Sequence, residues 1–204
     1  MTHHLMQYLD TPKPQAQAPQ QGAGKYHGAV AKGYDAKRVK DEKWVCEQRI
    51  IEDMLSDLPP DSTILDCPVG TGRFIPFYQD KGFQILGMDL QEDMLREAAR
   101  KADPKRARGE LRIGDVRATG LEDRSVDAAV MCRLSRWLSP DDCQVALREL
   151  QRVCRKRIIW TARVANHVHA RSVELFEQAL DGWVITRNEA GYVLDYRILM
   201  AEPT

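Results

Sequence analysis

Short apolar runs alternate with longer stretches of helical spacing along this chain from Asp41 to its end. Between Asp41 and Leu58 the apolar positions Trp44, Val45, Ile50, Ile51, Met54, Leu55 and Leu58 keep the period of a helix, and Pro59-Pro60 stops it. Ile64-Leu65 reads as a short strand ending in Asp66. A turn of small residues with Gly70 and Gly72 follows, then a helix from Arg73 to about Lys81. Phe83 to Asp89 is a second strand, and Gln91 to about Ala102 a helix with Met94, Leu95 and Ala98 inward. Leu111 to Asp115 is a third strand, and Asp123 to Asp127 leads into a fourth that ends at Cys132. Pro140 to Val153 keeps a helical period behind a Ser139 cap. Lys156 to Arg163 is a fifth strand, Val164 to Leu180 holds another helix, and Gly182 to Met200 reads as a hairpin turned through Asn188 to Gly191. Strands alternating with helices predict an α/β fold on a mostly parallel sheet, closed by an antiparallel C-terminal hairpin.

Composition narrows the picture. A length of 204 residues suits one domain, and 43% apolar content is ordinary for a globule. Residues 1–25 are rich in Gln, Pro and Ala without periodicity and predict a flexible tail, leaving 26–204 as a single domain. His3 and His4 in that tail do not make a metal site. Thirty basic and thirty acidic side chains balance, which disfavours a protein whose main task is gripping nucleic acid. Seven Lys or Arg between Arg96 and Arg112 keep a local nucleic-acid surface in view, although a solvated helix face explains them as well. No apolar run approaches a membrane span, Met1 to Asp10 lacks signal-peptide character, and five scattered cysteines read as reduced thiols. The expected location is therefore the cytoplasm, with no membrane partner.

The chemistry concentrates at Asp66-Cys-Pro-Val-Gly-Thr-Gly72. Strand, glycine turn and helix open a nucleotide-type αβ unit, and glycines there let backbone approach a ligand closely. Ile75 stands where the dinucleotide fingerprint needs its third glycine, and the phosphate-loop pattern is absent. Asp66, Gly70 and Gly72 resemble the first motif, D-x-G-x-G-x-G, of the class I S-adenosyl-L-methionine methyltransferases of small-molecule type. Pro68 departs from it, removing one backbone donor. Gly87-Met-Asp-Leu-Gln-Glu-Asp-Met-Leu95 resembles the second motif, Gly114-Asp-Val116 the third, and Asp123-Arg-Ser-Val-Asp127 the entry to the fourth strand. Tyr26 to Arg38 resembles the segment that lies over the cofactor in such enzymes.

The resemblance implies a three-layer Rossmann-like sheet and S-adenosyl-L-methionine as cofactor, with S-adenosyl-L-homocysteine as product. It implies Asp89 against the ribose, Asp115 and Val116 against the adenine, and Pro68, Thr71, Leu90, Met94, Cys132, Tyr26, Tyr34 and Arg38 around the rest of the cofactor beside Asp66, Gly70 and Gly72. Arg133, Arg136 and Trp137 are expected at the pocket mouth with Arg163, an arrangement suited to a small or medium anionic acceptor with an oxygen or nitrogen nucleophile. Methyl transfer relies mainly on positioning, so no catalytic residue is required. His167 and His169 are the candidates for a base. A non-catalytic protein of this fold that senses the cofactor, and an RNA or DNA methyltransferase using Arg96 to Arg112, remain alternatives. The acceptor's identity and the oligomeric state stay open.

Overall fold

The computed structural model describes residues 7–9, 28–36, 38, 40–165, 170, 172–193 and 195–204, of which only the strand pairing of 7–9 is used below. In chain order the elements are β1 (Gln7–Leu9), α1 (Ala29–Lys32), α2 (Glu42–Leu55), β2 (Thr63–Asp66), α3 (Ile75–Lys81), β3 (Gln84–Asp89), α4 (Glu92–Lys101), β4 (Gly109–Ile113), β5 (Val126–Met131), α5 (Pro140–Val153), β6 (Cys154–Arg163), α6 (Val173–Glu177), β7 (Trp183–Ala190) and β8 (Tyr196–Pro203). They build one sheet in the order β1-β4-β3-β2-β5-β6-β8-β7. The pairs from β1 to β6 are parallel, and β8 runs antiparallel between β6 and β7. This is the Rossmann-like sheet, mostly parallel with an antiparallel C-terminal hairpin, expected from the sequence.

Local chemistry sets the boundaries. Asp41 caps α2 by accepting from the Lys43 N–H, and Ser139 caps α5 by accepting from the Asp142 N–H. Both α3 and α5 carry Pro in their first turn, where its missing N–H has no partner to lose. Gly82 ends α3 with φ of 74°, a left-handed position that glycine takes without a Cβ penalty. The central strands are buried on both faces. Ile64, Ile85, Ala128 and Ile159 pack with α2, α3 and α4, while Leu65, Leu86, Ala129, Ile158 and Trp160 pack with α5 and α6. A parallel sheet covered on both sides produces near-continuous apolar strands, as seen here.

Three differences from the sequence reading stand out. Gln7–Leu9, assigned to the tail, pair with Glu110–Arg112 and add an eighth strand; the rest of the tail, 1–6 and 10–25, lies outside the described residues. The hairpin turns at 191–195, not at 188–191. Asn188 and Ala190 still pair with Leu199 and Arg197, and the reversal is closed by Gly191 N–H to Tyr196 O and Tyr196 N–H to Val193 O. The helix expected in 164–180 is confined, among described residues, to α6. No helix among the described residues is long and apolar enough to cross a membrane.

The chain leaves β2 toward β3 and β4 on one side, then returns to β5 and β6 on the other. The reversal puts a crevice beyond the carboxyl ends of β2 and β5, where open α/β sheets bind ligands. Gly72 fixes the start of α3 against α4. Its φ is 73°, and a Cβ there would lie 2.6 Å from Ile75 Cδ1 and 2.9 Å from Ala98 Cα. Gly72→Ala is expected to lower stability by about 1–3 kcal/mol, the range for strained backbone, read as an earlier midpoint in urea unfolding.

Candidate active site

The glycine turn is tied to the neighbouring strand rather than left free. Val69 N–H donates to Met88 O at 2.8 Å, and Gly70 N–H donates to Asp89 Oδ2 at 3.0 Å. Asp89 Oδ1 accepts from Gln91 N–H at 2.8 Å, so this one carboxylate holds both the turn and the start of α4. Gly70 has φ of 55°, and a Cβ there would meet only Met94 Cε at 3.7 Å. The turn thus presents bare backbone to an open cavity of about 970 Å³.

That cavity brings together most of the residues expected around a cofactor. Asp66, Pro68, Gly70, Thr71, Asp89, Leu90, Met94, Val116, Cys132 and Tyr34 line it, joined by Arg133, Arg136 and Trp137. The segment that follows α1 reaches the cavity through Tyr34 and is held to the turn and to α4. Thr71 Oγ1 donates to Asp35 Oδ1 at 2.7 Å, Lys101 pairs with Asp35, and Gly28 N–H donates to Asp93 Oδ2 at 2.7 Å. Tyr34 packs edge-on against Trp44.

Other expected positions are placed differently. Gly72 does not line the cavity and serves packing, as described above. Asp115 does not line it either, although Gly114 and Val116 do. Its carboxylate is gripped by buried Arg117, whose Nη2 lies 2.6 Å from Oδ2, and Arg117 reaches on to Asp142 at the start of α5 at 3.1 Å. Arg38 stacks 3.7 Å from the centroid of the Tyr34 ring and donates to Tyr34 O, away from the cavity. Arg163 lines a separate cleft and pairs with Asp195 at 2.9 Å. Tyr26, His167 and His169 lie outside the described residues. The basic stretch is largely neutralised, because Arg96, Arg100, Lys101, Arg106, Arg108 and Arg112 each pair with an acid.

Sequence reasoning missed Glu47. It sits on α2 with 1% exposure and accepts from Arg73, from Arg133 Nε at 2.8 Å and from the Tyr196 hydroxyl. Burial pushes its carboxyl up, but Arg133 and Arg73 outweigh that and hold it below the ordinary carboxylate range. Trp44 completes the cluster, with the Arg73 and Arg133 guanidinium carbons 3.7 and 4.8 Å from its ring centroid. Arg133 itself has φ of 60°, unusual for a side chain of this size, and its N–H donates to Thr161 Oγ1 at 2.7 Å. Held this way, Arg133 borders two spaces, the cavity under the glycine turn and a second cleft of about 660 Å³. Lys43, Arg136 and Arg163 line that cleft too, against a single acid, Asp41.

Two carboxyls in the cavity titrate high. Burial pushes Asp66 up to about 8, opposed by the Tyr78 hydroxyl that donates to Oδ2 at 3.2 Å and helped by the charge of Asp89. Burial pushes Asp89 to about 6, against the backbone bonds from Gln91 and Gly70. Asp66 Oδ1 is buried with no hydrogen-bond partner among the described residues.

With this geometry in place, comparison with known proteins shows what the chain is similar to. A family model described as a methyltransferase domain matches residues 64–157, the stretch from β2 into β6 that builds the crevice. That stretch, just under half of the chain, is similar to methyltransferase domains. A malonyl-[acyl-carrier protein] O-methyltransferase of Hamiltonella defensa subsp. Acyrthosiphon pisum (strain 5AT) is 32% identical over 94 residues, covering 46% of this chain and 34% of that protein. The chain therefore matches about a third of that relative's length. Among solved structures, the magnesium protoporphyrin IX methyltransferase of Synechocystis PCC 6803 has a TM-score of 0.72 at 18% identity, over 93% of this chain and 100% of that one. A TehB-like methyltransferase of Corynebacterium glutamicum ATCC 13032 Kitasato has a TM-score of 0.63 at 19% identity, over 86% and 99%. At these identities the two structures bear on the fold.

The buried acid Asp66 sets a sign for the pH dependence of stability. Asp66 titrates near 3.8 when unfolded and near 8 when folded, so the folded state holds the extra proton between those values. Its contribution is fully present below about 4 and is lost as pH rises through about 8. In urea unfolding at a series of pH values, Asp66→Asn is expected to flatten that decline and to be the more stable protein above pH 8. A decline of equal steepness in both proteins would contradict the assignment. Glu47→Ala strands two arginines and should cost about 3–5 kcal/mol, read in the same experiment.

Proposed function

We propose that this chain is an S-adenosyl-L-methionine-dependent methyltransferase acting on a small or medium, anionic acceptor through an oxygen or nitrogen nucleophile. One arrangement carries the reading: the cavity under the glycine turn and the basic cleft share Arg133 and Arg136 as a common wall. Two ligand spaces meeting at one wall suit a donor and an acceptor that must touch. The magnesium protoporphyrin IX methyltransferase of this fold was crystallised with S-adenosyl-L-methionine and with S-adenosyl-L-homocysteine, which supports the choice of cofactor.

The residues present fit that cofactor. Gly70 offers backbone that a side chain would obstruct, and Asp89 supplies an acid at the ribose position. Leu90, Met94, Val116 and Leu134 line the same cavity and give an apolar bed for a base. When bound, S-adenosyl-L-methionine supplies a methyl group on a sulfonium and leaves as S-adenosyl-L-homocysteine. This chain's part is to hold the acceptor in line, exclude water and keep the two spaces in register, which supplies several kcal/mol of the barrier. Asp115, engaged by Arg117, leaves the adenine edge to the backbone around Gly114 and Val116 in this reading. The neutralised basic stretch gives a nucleic-acid acceptor no support.

Calorimetric titration tests the reading. S-adenosyl-L-methionine and S-adenosyl-L-homocysteine are expected to bind in the micromolar range, and NAD and NADP not to bind. Asp89→Ala should weaken both sulfur ligands more than tenfold by removing the acid that also orders the turn. Gly70→Val should abolish binding by filling the space above the turn. Failure of the parent chain to bind either sulfur ligand would overturn the proposal.

A further inference from the structure

Arg136 is set apart from the other arginines of the two cavities. Arg73 and Arg133 pair with Glu47, and Arg163 with Asp195. Arg136 has no acid partner among the described residues, and its Nε is buried with no hydrogen-bond acceptor. Its guanidinium carbon lies 4.9 Å from the Trp137 ring centroid, and the side chain borders both spaces. A buried guanidinium N–H without an acceptor is costly, and the ligand that relieves it is a planar anion.

The carboxyls of the two spaces already have roles. Glu47 is paired with two arginines, Asp89 holds Gly70 and Gln91, and Asp41 caps α2. Asp66, up to about 8, carries its own proton at neutral pH and cannot take another. Burial likewise raises the Cys132 thiol and the Tyr196 hydroxyl well above their ordinary values. Among the described residues, then, the wall offers cations and hydroxyl donors but no ready base. A nucleophile that needs none is one already ionised at neutral pH.

We propose that the methyl acceptor is a carboxylic acid whose carboxylate is held by Arg136, and that the product is its methyl ester. This rests on the methyltransferase reading above. One carboxylate oxygen forms the new O–C bond with its lone pair as the S–C bond breaks, and that bonding pair goes to sulfur. The carboxylate becomes a neutral ester and the sulfonium a neutral thioether, with no proton to remove. Arg136 orients the carboxylate bidentately, in the geometry its fork favours.

Two measurements test it. First, the full chain saturated with S-adenosyl-L-homocysteine is titrated with benzoate, phenyl phosphate and benzyl alcohol, three probes sharing one ring. Benzoate should bind at least tenfold more tightly than either of the others, and Arg136→Lys, which keeps charge but loses the fork, should remove most of that preference. Equal or tighter binding of the phosphate or the alcohol, no binding of benzoate, or a preference unchanged in Arg136→Lys would each overturn the proposal. Second, the chain is supplied with methyl-tritiated S-adenosyl-L-methionine and a deproteinised small-molecule cell extract. The transferred label should be released by mild alkali as volatile methanol. Alkali-stable label, or no transfer by a chain that binds the donor, would overturn the carboxylate assignment while leaving cofactor binding intact. Absence of S-adenosyl-L-homocysteine binding would instead bring down the underlying reading.

Discussion

A single buried carboxylate ties the cavity-bearing side of this protein together. Glu47 receives Arg73 from the helix entry after the glycine turn, Arg133 from the end of β5 and Tyr196 from the start of β8. These elements are far apart in sequence and meet at one pair of oxygens. A carboxylate is tolerated at 1% exposure only because two guanidinium groups and a hydroxyl replace its water. The same contact lets Arg133 hold a left-handed backbone that it would otherwise avoid, because the fold around it leaves no alternative. The wall between the two ligand spaces therefore inherits its shape from a residue in neither of them.

The switch point explains why the site lies where it does. Strands β2 and β5 diverge in the direction of their following connections, so the sheet opens a crevice above Asp66 and Cys132. Asp89 then closes the glycine turn from the adjacent strand with two backbone bonds. The two apolar layers below contribute rigidity rather than specificity. The substitutions that would retune this protein accordingly lie on loops beyond strand ends, while those in the layers would mainly alter its stability.

Much of this was legible in the chain. The apolar runs, the Pro59-Pro60 stop, the Ser139 cap and the acids Asp66 and Asp89 at strand ends all express local rules, and they led to the right fold class. What was not legible depended on long-range partners. Asp115 looks like a ligand acid from its position, and only the folded chain shows Arg117 turning back onto it. The pairing of Gln7–Leu9 with β4 joins segments about a hundred residues apart and leaves no periodic trace in three residues. Glu47 did carry a signal: it stands on the apolar stripe of its helix with Trp44, Ile51 and Met54. An acid on such a stripe announces buried cations somewhere, without saying which.

The segment beside the cavity that carries Tyr34 is held by modest contacts. Helix α1 has four residues, and Asp35, which takes Thr71 and Lys101, is only partly buried. Partly exposed pairs of this kind contribute up to about 1 kcal/mol each and weaken with added salt. The Glu47 cluster is buried, whereas this segment is tied by partly exposed pairs. Added salt therefore loosens the segment beside Thr71 before it touches the arginines at the wall.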